Sequence, residues 1–196
     1  MLRQERISDR DEASVAEYLR QLGLRAEPFC KASKRASKTP DFKVFRDDDL
    51  AFFCEVKSAA DDNVQGSRND PTYNRIEAKV YEAIQQFDAV NPSLDHPNVL
   101  FIVNHDRSSK IAALTEVLTG YGEYEGEHGP ELMRVYGRWS DGRIREGKER
   151  IGLCVWVDHA SGVKQHLFNS RVPGHPEHYD RLCECFGHVP GDVSCT

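Results

Sequence analysis

Long apolar runs are absent from this sequence. The longest runs, such as residues 99–103 and 153–157, are far shorter than the roughly 20 residues that a membrane-spanning helix needs. Residues 1–10 are charged and lack the apolar stretch of a secretion signal. We therefore expect a cytoplasmic protein that has no membrane partner.

The usual metal-ligand spacings of cysteine are also absent. Cys30, Cys54 and Cys154 stand alone among the six cysteines, and we expect them to be reduced, buried thiols. The remaining three lie near three histidines in the C-terminal part of the chain: Cys183, Cys185 and Cys195 with His175, His178 and His188. Their C-x-C-x-x-H spacing is not typical of zinc sites, although a zinc-binding tail stays open as an alternative.

An excess of basic charge is the third absence. The net charge of −6 argues against nonspecific coating of nucleic acid. We find no internal repeat, P-loop, helicase motif or DNA-reading module in the 196 residues. The 39% hydrophobic and 30% charged composition is typical of a soluble globular domain with its own core.

Apolar periodicity predicts an α/β fold. Helices are predicted over residues 9–22, 74–90, 111–118 and 176–186, and strands over residues 24–29, 41–45, 50–57, 98–103, 151–157 and 163–168. We expect Ser8 to cap the first helix and Gly23 to end it, whereas residues 121–150 show no clear pattern. Residues 1–170 are predicted to form the domain, and residues 171–196 a C-terminal tail with a short helix.

Residues 39–59, TPDFKVFRDDDLAFFCEVKSA, are predicted to form a hairpin with charged residues on one face. Side chains alternate across a strand, so Glu55 and Lys57 share a face. If residues 47–49 form the turn, Asp41 lies opposite Glu55 and joins them. The other face is then wholly apolar: Phe42, Val44, Phe52, Cys54 and Val56. The alternative is an ordinary surface Glu/Lys pair, which is common and weak.

Two adjacent carboxylates repel each other unless a proton or a cation lies between them. Mg²⁺ fits Asp41 and Glu55, because this hard ion binds one or two carboxylates, waters and substrate phosphates. The Val56 carbonyl could add a third oxygen, and Mn²⁺ could substitute for Mg²⁺. Lys57 would assist by stabilising charge or transferring a proton. The group therefore predicts metal-dependent hydrolysis of a phosphodiester.

Pro40-Asp41 and Glu55-Val56-Lys57 resemble the motif of the PD-(D/E)XK nuclease superfamily. The superfamily includes restriction-like nucleases and archaeal Holliday-junction resolvases. This resemblance implies a restriction-endonuclease-like core, with a central mixed β-sheet flanked by helices and a C-terminal extension. It also implies that Glu12, on the first predicted helix, contacts the metal through water.

The resemblance implies further roles on the helix predicted at residues 74–90. In several branches of the superfamily a lysine and a glutamine of this helix face the site. Lys79 and Gln86 match them, with Gln85 competing for the glutamine position; the alternative is that they are solvated helix residues. A basic segment lies just before Asp41 in the chain. We expect it to bind phosphates together with Lys79, through Lys31, Lys34, Arg35 and Lys38.

The leading hypothesis is therefore a Mg²⁺-dependent nuclease, acting on DNA rather than RNA, as a monomer or a homodimer. The second is a nucleic-acid-binding module on the same fold that does not cleave. The third is an interaction protein whose Cys/His tail binds zinc. The resemblance assigns no role to residues 106–196.

Overall fold

The computed structural model describes residues 2–30, 38–59, 71–107, 109–125, 132–136, 147–170 and 172–188. The helices are α1 Leu2–Gln21, α2 Pro71–Val90, α3 Ile111–Thr119 and α4 Glu177–Phe186, with a short 3₁₀ turn at Lys148–Arg150. The strands are β1 Arg25–Pro28, β2 Phe42–Arg46, β3 Asp49–Ala59, β4 Asn98–Asn104, β5 Tyr121–Glu125, β6 Leu132–Tyr136, β7 Leu153–Asp158 and β8 Lys164–Phe168.

Six strands form one open mixed sheet in the order β1-β2-β3-β4-β7-β8. The central strands β3, β4 and β7 are parallel, and the outer pairings are antiparallel. Strands β5 and β6 form a separate two-stranded sheet. The predicted α/β class, with a central mixed sheet flanked by helices, is confirmed.

Each face of the large sheet is covered by helices. Because side chains alternate along a strand, the central strands supply apolar residues to two separate cores. The core under α1 and α4 includes Val15, Leu19, Phe42, Val44, Phe52, Cys54, Val56, Phe101, Leu182 and Phe186. The core under α2 and α3 includes Phe53, Ile76, Val80, Ile84, Phe87, Leu100, Ile102 and Leu114. None of the described helices is long and apolar enough to span a bilayer.

Helix α1 begins earlier than predicted. Ser8 lies inside it and donates a hydrogen bond to Glu12 Oε1 at 3.4 Å, so its predicted role as a cap is wrong. Residues 2–8 contain no glycine or proline that would stop the helix from extending back. The predicted end is confirmed: Gly23 has φ +77°, the left-handed conformation that terminates many helices.

The hairpin turn is shorter than predicted. Arg46 pairs with Asp49, so residues 47–48 form a two-residue turn, with Asp47 at φ +55°. Aspartate tolerates this conformation better than most residues. The predicted three-residue turn is therefore wrong.

A β-bulge next to the turn restores the predicted register. Phe45 pairs with Leu50 and Val44 with Phe52, which leaves Ala51 as the extra residue of β3. From this point the pairing is the one expected from sequence. Position 41 is therefore opposite position 55, and the apolar face of the hairpin packs in the core as predicted.

The C-terminal helix α4 packs against the same core as α1. Leu182 is completely buried, and the Phe186 ring lies 5.7 Å from that of Phe52 and 6.4 Å from that of Phe101. The described part of the tail thus contributes to the same core as the sheet. The boundary at residue 170 stays a prediction.

The buried-thiol prediction is confirmed for Cys54 and Cys154, which lie on central strands. It is wrong for Cys30, which is exposed. Cys30 follows the edge strand β1, where no neighbouring strand covers the chain on the outer side. The two buried thiols have raised pKa values because burial disfavours the thiolate.

Candidate active site

Asp41 and Glu55 are both buried on the side of β3 that faces α2. Asp41 stands just before β2 and is 8% exposed, and Glu55 is 2% exposed. The backbone N–H of Val56 donates to Asp41 Oδ2 at 3.0 Å, which orients the Asp41 carboxylate at the strand edge. Two acidic groups that the sequence placed together are thus together in the fold.

Lys57 lies beside Glu55 and is held by three acceptors. Its Nζ is 2.8 Å from Glu55 Oε1 and 3.5 Å from Glu82 Oε2. It also donates to Gln86 Oε1 at 2.6 Å. Gln86 in turn donates through Nε2 to the Thr39 carbonyl at 2.9 Å. Helix α2 therefore fixes the lysine and the segment that leads into Asp41.

The surroundings of Glu55 disfavour its ionised form. Burial, followed by the nearby charge of Asp41, raises the pKa of Glu55 to about 8, although Lys57 and Gln86 act in the opposite direction. Its Oε2 atom is buried and has no hydrogen-bond partner among the described residues. A buried carboxylate oxygen without a partner is costly, and a bound cation or water molecule would relieve that cost.

The Val56 carbonyl also faces this region. In an extended strand the N–H and C=O of one residue point to the same edge, and the Val56 N–H points to Asp41. Strand β2 begins at Phe42, and its pairing with β3 ends at Cys54. Val56 therefore lies beyond the last residue of β3 that pairs with β2. The Asp41 and Glu55 carboxylates and this carbonyl form a set of hard oxygen donors that fits Mg²⁺ or Mn²⁺.

We expect Glu55→Gln to stabilise the metal-free protein at alkaline pH. The folded pKa of Glu55, about 8, lies above its ordinary value of 4.5, so the folded state binds more protons between these values. Stability from this group is present at low pH and is lost as pH rises through that window. Urea unfolding in EDTA at pH 5.5 and 8.5 measures the loss, which Glu55→Gln should remove.

Glu82→Gln is the matched control, since Glu82 also contacts Lys57 but its side chain is 50% exposed. Its pH dependence should follow that of the parent protein. Equal pH dependence in the parent and in Glu55→Gln would contradict the assigned environment of Glu55.

Glu12 lies half-buried on α1. Burial, followed by the charges of Asp41, Glu55 and Glu12, raises the pKa of Cys54, which places Glu12 within electrostatic range of strand β3. Its contact with a metal through water stays a prediction. The neighbouring Asp11, which the sequence did not indicate, is the more buried of the two at 2% exposed.

The two glutamines of α2 have different partners. Gln85 accepts a hydrogen bond from Lys38 Nζ at 3.2 Å, whereas Gln86 contacts Lys57. Gln86 is therefore the glutamine of the candidate site. Lys79 lies seven residues before it and so on the same side of the helix. Its role in binding nucleic acid stays a prediction.

Of the predicted phosphate-binding segment, Lys38 is exposed and available to an approaching polyanion. Lys31, Lys34 and Arg35 lie outside the described residues. The sequence also missed two members of the site, Glu82 and Thr39. Glu82 could have been found, because it lies four residues before Gln86 on one helix face; no sequence signal indicates Thr39.

Two of the three C-terminal histidines, His175 and His178, lie close together. A ligand atom from each of His175, Glu177 and His178 lies within 4.8 Å of the others. Among the described residues this cluster contains no cysteine. Cys183 and Cys185 are buried on α4. Cys195 lies outside the described residues, and His188 instead contacts His166 at 3.2 Å.

No family model matches this chain, and no curated protein or solved structure matches it. Membership of the PD-(D/E)XK superfamily therefore stays a prediction from the residue pattern, and function is argued from the geometry of the site.

Proposed function

We propose that this protein is a metal-dependent nuclease of the PD-(D/E)XK type that hydrolyses phosphodiester bonds in DNA. The observation that carries the proposal is the group of Asp41, Glu55 and Lys57 on one side of β3, in which both carboxylates are buried and Lys57 is in contact with Glu55. Buried like charges destabilise a fold unless they are compensated. A functional requirement for a divalent cation accounts for their presence.

The donor set supports Mg²⁺. All three candidate ligands, Asp41, Glu55 and the Val56 carbonyl, are hard oxygens, and Glu55 Oε2 is buried without a hydrogen-bond partner among the described residues. When bound, Mg²⁺ would polarise a substrate phosphate and lower the pKa of a coordinated water.

Hydrogen bonds and ion pairs hold the charged groups of the candidate site in position. The Val56 N–H holds one oxygen of Asp41. Lys57 is 13% exposed, and its ammonium group has acceptors on Glu55, Glu82 and Gln86. A lysine held in this way offers a fixed positive charge to a phosphate that gains negative charge in the transition state.

DNA as substrate rests on the family resemblance and on Lys38, a basic residue near the site. Lys38 is exposed two residues before Pro40, and its contact with Gln85 places its ammonium group beside α2. Phosphate contacts of this kind orient a nucleic acid without reading its sequence.

Cleavage assays test the proposal directly. Purified protein is incubated with supercoiled plasmid, linear duplex and branched DNA, with Mg²⁺, with Mn²⁺ and with EDTA. We expect strand cleavage that requires the metal and stops in EDTA. Metal-independent binding without cleavage of any substrate would instead favour the non-cleaving module.

We expect Gln86→Ala to lower the cleavage rate ~10- to 100-fold, because Gln86 holds Lys57 in place and small displacements of catalytic groups have effects of this size. Single-turnover rates at saturating Mg²⁺ measure the change. Gln85→Ala is the matched control, because it removes a neighbouring amide whose hydrogen bond is to Lys38 and not to Lys57. Equal losses in the two variants would contradict the positioning role.

A further inference from the structure

A second group of polar residues lies on the opposite side of the sheet from Glu55 and Lys57. Ser58 belongs to β3, His105 directly follows β4, and His159 directly follows β7. These three parallel strands place their carboxyl ends at one edge, the position where open α/β sheets commonly bind ligands. Asp11 of α1 reaches this edge from above the sheet.

The side chains converge on the buried carboxylate of Asp11, which is 2% exposed. His105 Nε2 lies 2.8 Å from Asp11 Oδ2 and 3.1 Å from Oδ1. The Ser58 hydroxyl donates to the same carboxylate. The His159 ring lies against that of His105, with 4.2 Å between their centroids. One ligand atom from each of Asp11, His105 and His159 lies within 4.8 Å of the others.

The backbone holds both histidines in place. The N–H of His105 donates to the Ala59 carbonyl at 2.8 Å, and the N–H of His159 donates to the Asn104 carbonyl at 3.0 Å. The two ligand candidates therefore extend the hydrogen bonding of the parallel strands instead of belonging to free loops. A site built on such rigid elements keeps its ligands close to binding geometry.

A contact between Asp11 and His105 accounts for two members of the group, and the exposed His159 adds a third ligand atom within 4.8 Å of theirs. Two imidazoles and one carboxylate form a donor set that suits first-row transition metals, whereas Mg²⁺ prefers oxygen ligands alone. We propose that Asp11, His105 and His159 bind a divalent transition-metal ion of the Zn²⁺ class, with water completing the coordination. The Ser58 hydroxyl would orient the Asp11 carboxylate from outside the ligand set.

This inference does not depend on the proposed nuclease activity. Side chains at positions 55 and 57 point to the α2 side of β3, and position 58 points to the α1 side. The two sites also differ in donor chemistry. Loss of zinc binding with cleavage retained, or the reverse, separates the failure of one proposal from that of the other.

The test uses the full chain with His175→Gln and His178→Gln, which removes the C-terminal histidine cluster. We call this protein the background variant. After treatment with a chelator, it is titrated with Zn²⁺ against a chromogenic chelator, and with Co²⁺ while visible absorption is recorded. We expect one equivalent of Zn²⁺ and a Co²⁺ spectrum of four- or five-coordinate type.

Adding His105→Gln or His159→Gln to the background variant should weaken Zn²⁺ binding by more than about 100-fold, and Ser58→Ala by about 10-fold. Asp11→Asn preserves the shape of the side chain and should also abolish tight binding, so it replaces any histidine variant whose circular dichroism shows loss of fold. Absence of Zn²⁺ binding in the background variant, or unchanged binding in these variants, would overturn the inference.

Discussion

Asp41→Asn, Glu55→Gln and Lys57→Met are each expected to lower DNA cleavage about 1,000-fold, the size of effect seen when one charge-stabilising group is removed from an active site. The two carboxylate changes remove a candidate metal ligand from the strand edge. The lysine change removes the ammonium group that lies 2.8 Å from Glu55. Initial cleavage rates at saturating Mg²⁺ measure the loss.

The fold should survive these changes because each side chain keeps nearly its original volume. Far-ultraviolet circular dichroism and the unfolding midpoint provide that check. Glu82→Gln is the activity control: it alters a contact to Lys57 at 3.5 Å but leaves both carboxylates in place, so we expect a smaller loss. Substantial cleavage in all three site variants would overturn the nuclease assignment.

The second large effect is expected in the C-terminal helix. Phe186→Ala should lower the free energy of unfolding by ~3–5 kcal/mol, the range found for buried phenylalanine truncated to alanine. Phe186 is 6% exposed, and its ring packs against those of Phe52 and Phe101. Urea unfolding at neutral pH measures the change.

Glu184→Ala is the matched control on the same helix. Its carboxylate is 69% exposed and lies 3.7 Å from Arg46, so the change should stay within about 0.5 kcal/mol. A loss below 1 kcal/mol for Phe186→Ala would show that α4 is separable from the core. That result would favour the alternative hypothesis, in which the Cys/His tail binds zinc as a separate interaction element.

The regular elements of this fold could be predicted because apolar periodicity is a local property of the sequence. The stripe of Ile76, Val80, Ile84 and Phe87 predicted α2 and its buried face, both of which are found. The alternation in residues 50–57 likewise predicted the apolar face of β3, which packs in the core under α1 and α4 through Phe52, Cys54 and Val56. Boundaries were less predictable, as the early start of α1 and the internal position of Ser8 show.

The register of the hairpin was predicted correctly from a wrong turn. The turn has one residue fewer than assumed, and the bulge at Ala51 adds one back. The burial pattern explains why the outcome is robust: a slip by one residue would place Asp41 and Glu55 on opposite faces of the sheet and would separate Phe42 and Val44 from the apolar face of β3. The need to keep the apolar residues of both strands on the same face therefore determines the pairing, and the turn adapts to it.

The features that the sequence did not indicate depend on contacts between distant segments. Asp11, His105 and His159 come from three separate parts of the chain, and no short motif joins them. They become neighbours only because β4 and β7 are parallel and α1 crosses their ends. Similarly, Thr39 enters the candidate site only through the hydrogen bond from Gln86.

The central claim is that Asp41, Glu55 and the Val56 carbonyl share one divalent cation. A crystal soaked in Mn²⁺ and measured at the manganese absorption edge tests it most directly, because anomalous density locates the ion without reference to activity. The account predicts a single strong peak within coordination distance of both carboxylates. Saturating Mn²⁺ with no peak there, or carboxylate groups found too far apart to hold one ion, would contradict it.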